Sequence, residues 1–438
     1  MSDRWTLHVG DCRDVMRAME PESIDSIVSD PPYGLSFMGK GWDHGVPGVE
    51  FWELALRVAK PGCHLLAFGG TRTYHRLACA VEDAGWEVRD CLGWMYGSGF
   101  PKSHDVSKAI DRETGAQREV VGSKLGQPGY SLAQHKGRDV YAGDWTNPAA
   151  ECAITAPATY SARQWQGWGT ALKPAWEPII LARKPLSGTV AANVLEHGTG
   201  ALNVDGCRVG TDDVIAFERK SENIRASGWK ETNRRPFQQS SQGRWPANLI
   251  HDGSDEVVGL FPQQTSGANP TRRNVAKFQN AYGEFAGQEE CTAVRGANSG
   301  SAARFFYCAK ASKRDRDEGC EGLEERACKN CTTGGNGEGD KRTIGRQSSI
   351  EKKPLAKARN HHPTVKPTDL MRYLCRLVTP PDGLVFDPFT GSGSTGKAAM
   401  LEGFRFVGAE LSPEYIEIAR ARIGHAAGKT RQKELALT

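Results

Sequence analysis

Asp30-Pro31-Pro32-Tyr33 places a carboxylate, a carbonyl of fixed direction and an aromatic face on one short turn. The tetrapeptide closes an apolar run, Ile24 to Val28, that reads as a buried strand. Two successive prolines cannot continue a strand ladder, so the chain leaves the sheet there. The turn therefore stands at a strand's carboxyl end, the edge where open α/β sheets hold their ligands. Such a set suits a planar amine: Asp30 and the Pro31 carbonyl accept its two N–H bonds while Tyr33 stacks on the ring. Taken alone, the four residues are also open to a plainer reading, a Pro-Pro turn with an incidental aspartate.

A second stretch narrows that choice. Leu384-Val385-Phe386-Asp387-Pro388-Phe389-Thr390-Gly391-Ser392-Gly393-Ser394-Thr395-Gly396 reads as a strand, a glycine-rich turn and a helix start. Gly391 and Gly393 let the backbone approach a ligand closely, and the helix start offers unpaired N–H groups. Farther on, Phe406-Val407-Gly408-Ala409-Glu410 is another short apolar run ending in an acid. Asp387 is placed to hold an ammonium group, and Glu410 to take two ribose hydroxyls, as acids do in dinucleotide sites. That logic fits a cationic, ribose-bearing cofactor. A rival exists, because Gly391 to Lys397 also fits the phosphate-binding pattern G-x-x-x-x-G-K. The next residue is Ala398, where that pattern needs a hydroxyl for magnesium, and Asp387 would repel phosphates.

These groups need a sheet to hold them. Leu7 to Cys12 reads as a strand ending in Gly10-Asp11, with a helix from Val15 to Met19. Glu50 to Val58 reads as an amphipathic helix stopped by Lys60-Pro61-Gly62, and Cys63 to Phe68 as the next buried strand. Thr73 to Ala84 continues as helix, Trp86 to Tyr96 as strand, and Leu370 to Val378 as helix. The alternation predicts a doubly wound sheet. Between Gly34 and Gly48 the chain is glycine-rich, with Phe37, Lys40, Trp42 and Asp43, and reads as a mobile loop beside the amine; Trp42 could equally be a packing residue. From Gly97 to Trp168 the pattern dissolves, which is too long for an ordinary loop and reads as an inserted segment. A strand returns within Lys173 to Pro185.

The two motifs in this order resemble the S-adenosylmethionine-dependent amino-methyltransferases of DNA, whose D/N/S-P-P-Y/F/W motif is catalytic and whose F-x-G-x-G loop binds the cofactor. With the catalytic motif first and the cofactor loop last, the chain is similar to the β-class. The resemblance covers roughly residues 3–100, 171–185 and 361–425. It implies an α/β fold, a Rossmann-like doubly wound methyltransferase sheet with an inserted irregular target-recognition domain. It assigns Asp30, Pro31, Pro32 and Tyr33 to catalysis, and Asp387, Pro388, Phe389, Gly391, Gly393, Thr395 and Glu410 to the cofactor. Asp11 matches an acid that contacts the cofactor's adenine, although an aspartate there also suits a helix cap. Thr364 and Lys366, in His362-Pro363-Thr364-Val365-Lys366-Pro367, match the segment lining the methionine end, or simply lead into the next helix. The family's hairpin places the strand near Lys173 against Trp86–Tyr96 at the sheet edge, with 97–170 inserted between them.

The expected reaction is an in-line methyl transfer to an exocyclic amine of a base flipped out of double-stranded DNA, since a paired amine is out of reach. Accepting from its hydrogens raises density on the nitrogen, so no separate general base is needed. Tyr33 would replace part of the lost stacking, about 1–3 kcal/mol per base. In the resembled family D-P-P-Y is commoner on adenine-N6 enzymes, which favours adenine, with cytosine-N4 the alternative. A non-catalytic DNA- or nucleotide-binding module with this core is the reading from another class. The family also implies a homodimer and a cognate restriction endonuclease.

The formal net charge of +4 over 438 residues is too small to imply nucleic acid by itself. Its distribution says more. Residues 101–360 hold 37 Lys and Arg against 30 Asp and Glu, so the basic excess lies between the two motif regions. There Arg234-Arg235-Pro236-Phe237, Arg244-Trp245-Pro246 and Arg272-Arg273-Asn274 mix guanidinium groups with aromatics and amides, suited to phosphates and major-groove base edges. Lys40, Arg234, Arg235, Arg244, Arg272 and Arg273 are the candidate DNA contacts, and the basic run at 341–360 is a candidate tether. The expected organisation is two methyltransferase halves, 1–96 and 361–428, an insertion at 97–170 for DNA contact or dimerisation, the edge strand at 171–185, a recognition domain with its basic linker at 186–360, and a tail at 429–438. Cys308, Cys320, Cys328 and Cys331 form one C-x-x-C and two single cysteines, so free thiols are expected rather than zinc, and no metal is assigned. No apolar run is long enough to span a membrane and no signal peptide is read at the N-terminus, so a cytoplasmic protein is expected.

Overall fold

A computed structural model describes residues 4–35, 45–99, 103–125, 151–210, 243–266, 278–280, 283–285, 298–310, 312, 314–327 and 357–437. A nine-stranded sheet runs through it. In chain order its strands are β1 (Trp5–Val9), β2 (Ile24–Ser29), β3 (Ala59–Phe68), β4 (Glu87–Met95), β5 (Trp176–Arg183), β6 (Leu249–His251), β7 (Tyr307–Cys308), β8 (Leu384–Asp387) and β9 (Arg405–Glu410). Their spatial order is β1-β9-β8-β2-β3-β5-β4-β6-β7. Every pairing is parallel except the two that β5 makes with β3 and β4. The carboxyl ends of eight strands therefore share one edge with the amino end of β5.

Alternation along the central strands sorts side chains to two faces. Ile27 and Leu65 pack with Trp52, Leu77 and Trp86 on one side. Val28 and Leu66 pack on the other with Leu370, Leu374, Ala398 and Ile423. Trp52 and Leu77 come from helices Val49–Val58 and Tyr74–Asp83 and Trp86 from the turn before β4, while the second set comes from helices Thr368–Val378, Ser394–Leu401 and Pro413–Leu437. β2 is buried along its whole length yet carries three polar residues. Each has a partner: Asp25 pairs with Lys60 at 2.5 Å, Ser26 meets Thr379 at 2.8 Å, and Ser29 donates to Asp387 at 2.6 Å. Those bonds tie the central strand to its surroundings. No helix among the described residues is long and apolar enough to cross a membrane.

Several expectations need correcting. The first helix is Cys12–Ala18, begun by the Asp11 cap. Lys60-Pro61-Gly62 does not precede β3 but lies inside it, where Gly62 takes a φ of +76° and the register with β2 shifts. β4 is not the sheet edge, because β6 and β7 continue beyond it. The span 186–360 is thus not apart from the sheet, since both of those strands come from it. The span 97–170 is not patternless, for it holds a helix, Val106–Glu113, and an antiparallel pair, Val120–Leu125 with Glu151–Thr155. The segment from 429 is no loose tail, because the last helix runs to Leu437. Cys328 and Cys331, the 341–356 part of the basic run and Trp42 lie outside the described residues.

Candidate active site

The sheet changes direction between β2 and β8: β3 follows on one side, β9 and β1 on the other. Open α/β sheets place ligands at the carboxyl ends of strands beside such a reversal. Asp30 leaves β2 there and Asp387 ends β8 there, and the Ser29 hydroxyl joins the two strands by donating to Asp387 at 2.6 Å.

The Asp30-Pro31-Pro32-Tyr33 turn is fastened to the end of β3. The Thr73 hydroxyl donates to the Tyr33 carbonyl at 2.7 Å, and the Tyr33 ring lies against Gly70, where even a methyl group would meet it at 3.2 Å. The phenol points inward, donating to Asp30 Oδ1 at 2.8 Å and to Glu177 Oε2 at 3.2 Å. Lys366 completes the group. Its ammonium lies 2.9 Å from Glu177 Oε2, 3.1 Å from Asp30 Oδ1 and 3.0 Å from the Tyr33 hydroxyl, above the Phe68 ring at 4.7 Å. Burial raises the Tyr33 phenol well above its ordinary value, and the Asp30 and Glu177 carboxylates push the same way. Burial pulls the Lys366 ammonium down, but the same two carboxylates outweigh it and hold it protonated above the usual lysine range.

The β8 turn forms the adjoining wall. Asp387 is 2% exposed and accepts from Ser29 and from the Phe389 N–H at 3.0 Å. Burial still pushes its carboxyl up to about 6, and neighbouring Asp30 adds to the rise. A buried acid so raised gains most from a cation beside it. Glu410 ends β9 and accepts from the N–H groups of Gly391 at 2.7 Å and Ser412 at 2.8 Å, which fixes the carboxylate beside the glycine turn. Burial raises its pKa as well. Asp11 accepts from the Arg13 N–H at 2.9 Å and pairs with its guanidinium at 2.6 Å, so the helix cap is present. Phe389 packs on Phe51 and Trp52. Pro388 is buried and Thr364 exposed.

The glycines of the turn serve the protein as much as any ligand. Gly391 has a φ of +53°, and a methyl group there would meet His362 Nε2 at 3.0 Å; Gly393, at +78°, would collide with Ala419 at 2.9 Å. Arg422 pins the same turn from the last helix, donating to the Ser392 carbonyl at 2.6 Å and to the hydroxyls of Ser392 and Ser394. Lys397, the lysine of the rival phosphate-loop pattern, is 1% exposed and pairs with Glu318 at 2.9 Å. Its charge is held by a carboxylate inside the protein.

The structure adds to the sequence reading at two positions. Lys366, expected at a cofactor's methionine end, stands in the Asp30 cluster. Arg244, expected on DNA, lies over the Phe305 ring at 4.5 Å and donates to the Arg304 carbonyl at 3.3 Å. Lys40, Arg234, Arg235, Arg272 and Arg273 lie outside the described residues. Sequence reasoning missed Glu177 and Arg422. The signal for Glu177 was its strand's reversed direction, which carries an acid near the amino end to the shared edge.

Comparison with known proteins gives the family. A family model described as "DNA methylase", of the N6/N4 kind, matches residues 24–421. The type II methyltransferase M.HindIII of Haemophilus influenzae is 22% identical over 232 residues, 43% of this chain and 61% of that protein. M2.DpnII of Streptococcus pneumoniae is 39% identical over 71 residues, 16% of this chain and 26% of that protein. The chain therefore spans less than two thirds of these curated relatives. Among solved structures, the M1.HpyAVI–SAM complex matches 96% of this chain and 99% of its own at 12% identity, with a TM-score of 0.36. The PvuII cytosine-N4-specific DNA methyltransferase matches 98% and 93% at 11% identity, with a TM-score of 0.40. On the family match across most of its length, the chain belongs to the DNA methylase family.

Proposed function

We propose that the protein is a site-specific DNA methyltransferase that moves a methyl group from S-adenosylmethionine to the N6 amine of an adenine flipped out of double-stranded DNA. One observation carries this reading: Asp30 directly follows Ser29, whose hydroxyl bonds Asp387 at 2.6 Å, so an amine acceptor and a cation-seeking acid stand on neighbouring strand ends at the reversal. In this reading Asp387 and Glu410 hold the cofactor's ammonium and ribose, and the glycine turn closes over it. S-adenosylmethionine supplies an electrophilic methyl group on a sulfonium. Asp30 and the Pro31 carbonyl accept the amine's hydrogens and hold its lone pair in line, which makes orientation the main source of rate. The Tyr33 ring gives the extruded base a face to stack on. Adenine rather than cytosine rests on the aspartate of the D-P-P-Y turn. Homodimer formation, a cognate endonuclease and a cytoplasmic setting belong to the same proposal.

The test is chemical. DNA lacking both modifications is incubated with the protein and S-adenosylmethionine, digested to nucleosides and analysed by mass spectrometry. N6-methyladenine is the expected product. N4-methylcytosine would overturn the choice of base, and no methylated nucleoside would overturn the activity.

A further inference from the structure

Glu177 has no place in the chemistry above, yet it is the most heavily engaged acid beside Asp30. It takes Lys366 and Tyr33 at once, and it reaches them only because β5 runs against its neighbours. The Lys366 ammonium is shared between two carboxylates, at 2.9 Å from Glu177 and 3.1 Å from Asp30, with side-chain exposures of 9%, 18% and 23% for Lys366, Glu177 and Asp30. Two acids and one ammonium leave this cluster with one negative charge, in a place too dry for solvent to screen it fully. Both bonds described for Asp30 fall on Oδ1, from Tyr33 and Lys366.

Resting on the proposed methyl transfer, we infer that Glu177 is a positioning residue of this site. By sharing Lys366 it leaves Asp30 the negative charge with which it accepts the amine and faces the positive methyl donor. Without Glu177 the ammonium would have Asp30 as its carboxylate partner, and the pair would be neutral. A neutralised carboxylate is a weaker acceptor for N–H and offers nothing to a neighbouring cation.

Charge counting makes the inference testable with Glu177→Gln, Lys366→Met and the double variant. The first loses one negative charge, the second one positive charge, and the double variant returns to the wild-type balance. Two ligands read the charge without turnover: sinefungin, which carries an amine cation where the methyl sulfonium would lie, and S-adenosylhomocysteine, which is neutral there. Calorimetric titration gives the ratio of their affinities. Glu177→Gln is expected to lower the preference for sinefungin about tenfold, Lys366→Met to raise it, and the double variant to return within about threefold of wild type. Affinity for S-adenosylhomocysteine is expected to stay constant throughout, which also checks folding. In single-turnover methylation of unmodified DNA, Glu177→Gln is expected to lose about a hundredfold, with the double variant recovering at least about tenfold of it. Losses that simply add in the double variant, or an unchanged ligand ratio in Glu177→Gln, would overturn the role of Glu177 while the wild type still methylates DNA. A wild type that binds neither ligand and methylates no DNA would overturn the proposed function and this inference together.

Discussion

Two aspartates in this protein, Asp111 fully buried and Asp30 half-buried, sit in opposite circumstances. Asp111, in the insertion, is wholly buried and meets one arginine, Arg118, at 2.6 Å. It also accepts from the Ala158 N–H, the Thr159 N–H and the Thr159 hydroxyl at 2.8 to 3.1 Å. Burial pushes its carboxyl up, but these donors outweigh that and hold it below the ordinary value. One charge meets one charge and the donors fill the rest. Asp30 instead shares a single ammonium with Glu177 and stands near Asp387, itself raised by burial. A balanced centre folds a segment; one with surplus negative charge is ready for a cationic or N–H-bearing ligand. The difference is in the count of charges, since both centres are hydrogen-bonded at similar distances.

Asp30→Ala should give the largest effect, a loss of methyl transfer of about a thousandfold or more at saturating cofactor, with affinity for the neutral S-adenosylhomocysteine kept. Asp111→Ala should do the reverse. It is expected to open the insertion to proteolysis between residues 103 and 172 while cofactor affinity is unchanged, and an insertion still resistant to protease would break the contrast. Asp387 gives a pH signature. Its pKa of about 6 lies above the ordinary 3.8, so the folded state binds more protons than the unfolded one between those values. Its contribution is therefore fully present below about pH 4 and lost as pH rises through about 6, costing on the order of 3 kcal/mol at neutral pH. Asp387→Asn should flatten urea-unfolding stability across that window. Wild-type cofactor affinity should rise over the same window, because the ionised acid is the form that holds a cation. Arg244→Ala should have the smallest effect, about 1 kcal/mol of stability from the lost contact with Phe305. The salt dependence of DNA binding should be unchanged, whereas a phosphate contact would lower its slope by about one.

How much of this was legible depended on the length of each signal. The apolar run ending in Asp30-Pro31-Pro32-Tyr33 stands as β2 and its turn, and the Asp387 to Gly396 stretch as β8, turn and helix, because strand period and proline or glycine breaks act locally. β6 and β7 have three and two residues, too few for any period to show, so the extended sheet was invisible. The pair Val120–Leu125 and Glu151–Thr155 carries Gly, Ser and Lys among its apolar residues, which blurred its alternation. Glu177 could be placed only once the direction of β5 was known. Arg422 looks like a surface charge in sequence and only the packing of the last helix buries it, while Lys397 fits a phosphate-binding pattern and only its pairing with Glu318 gives it another role.

The most direct measurement follows methylated nucleosides over time on unmodified DNA, with wild type and Asp30→Ala compared at cofactor concentrations saturating for each. The account predicts N6-methyladenine from the wild type and none above background from Asp30→Ala, with affinity for S-adenosylhomocysteine alike in both. Near-normal methylation by Asp30→Ala would contradict it.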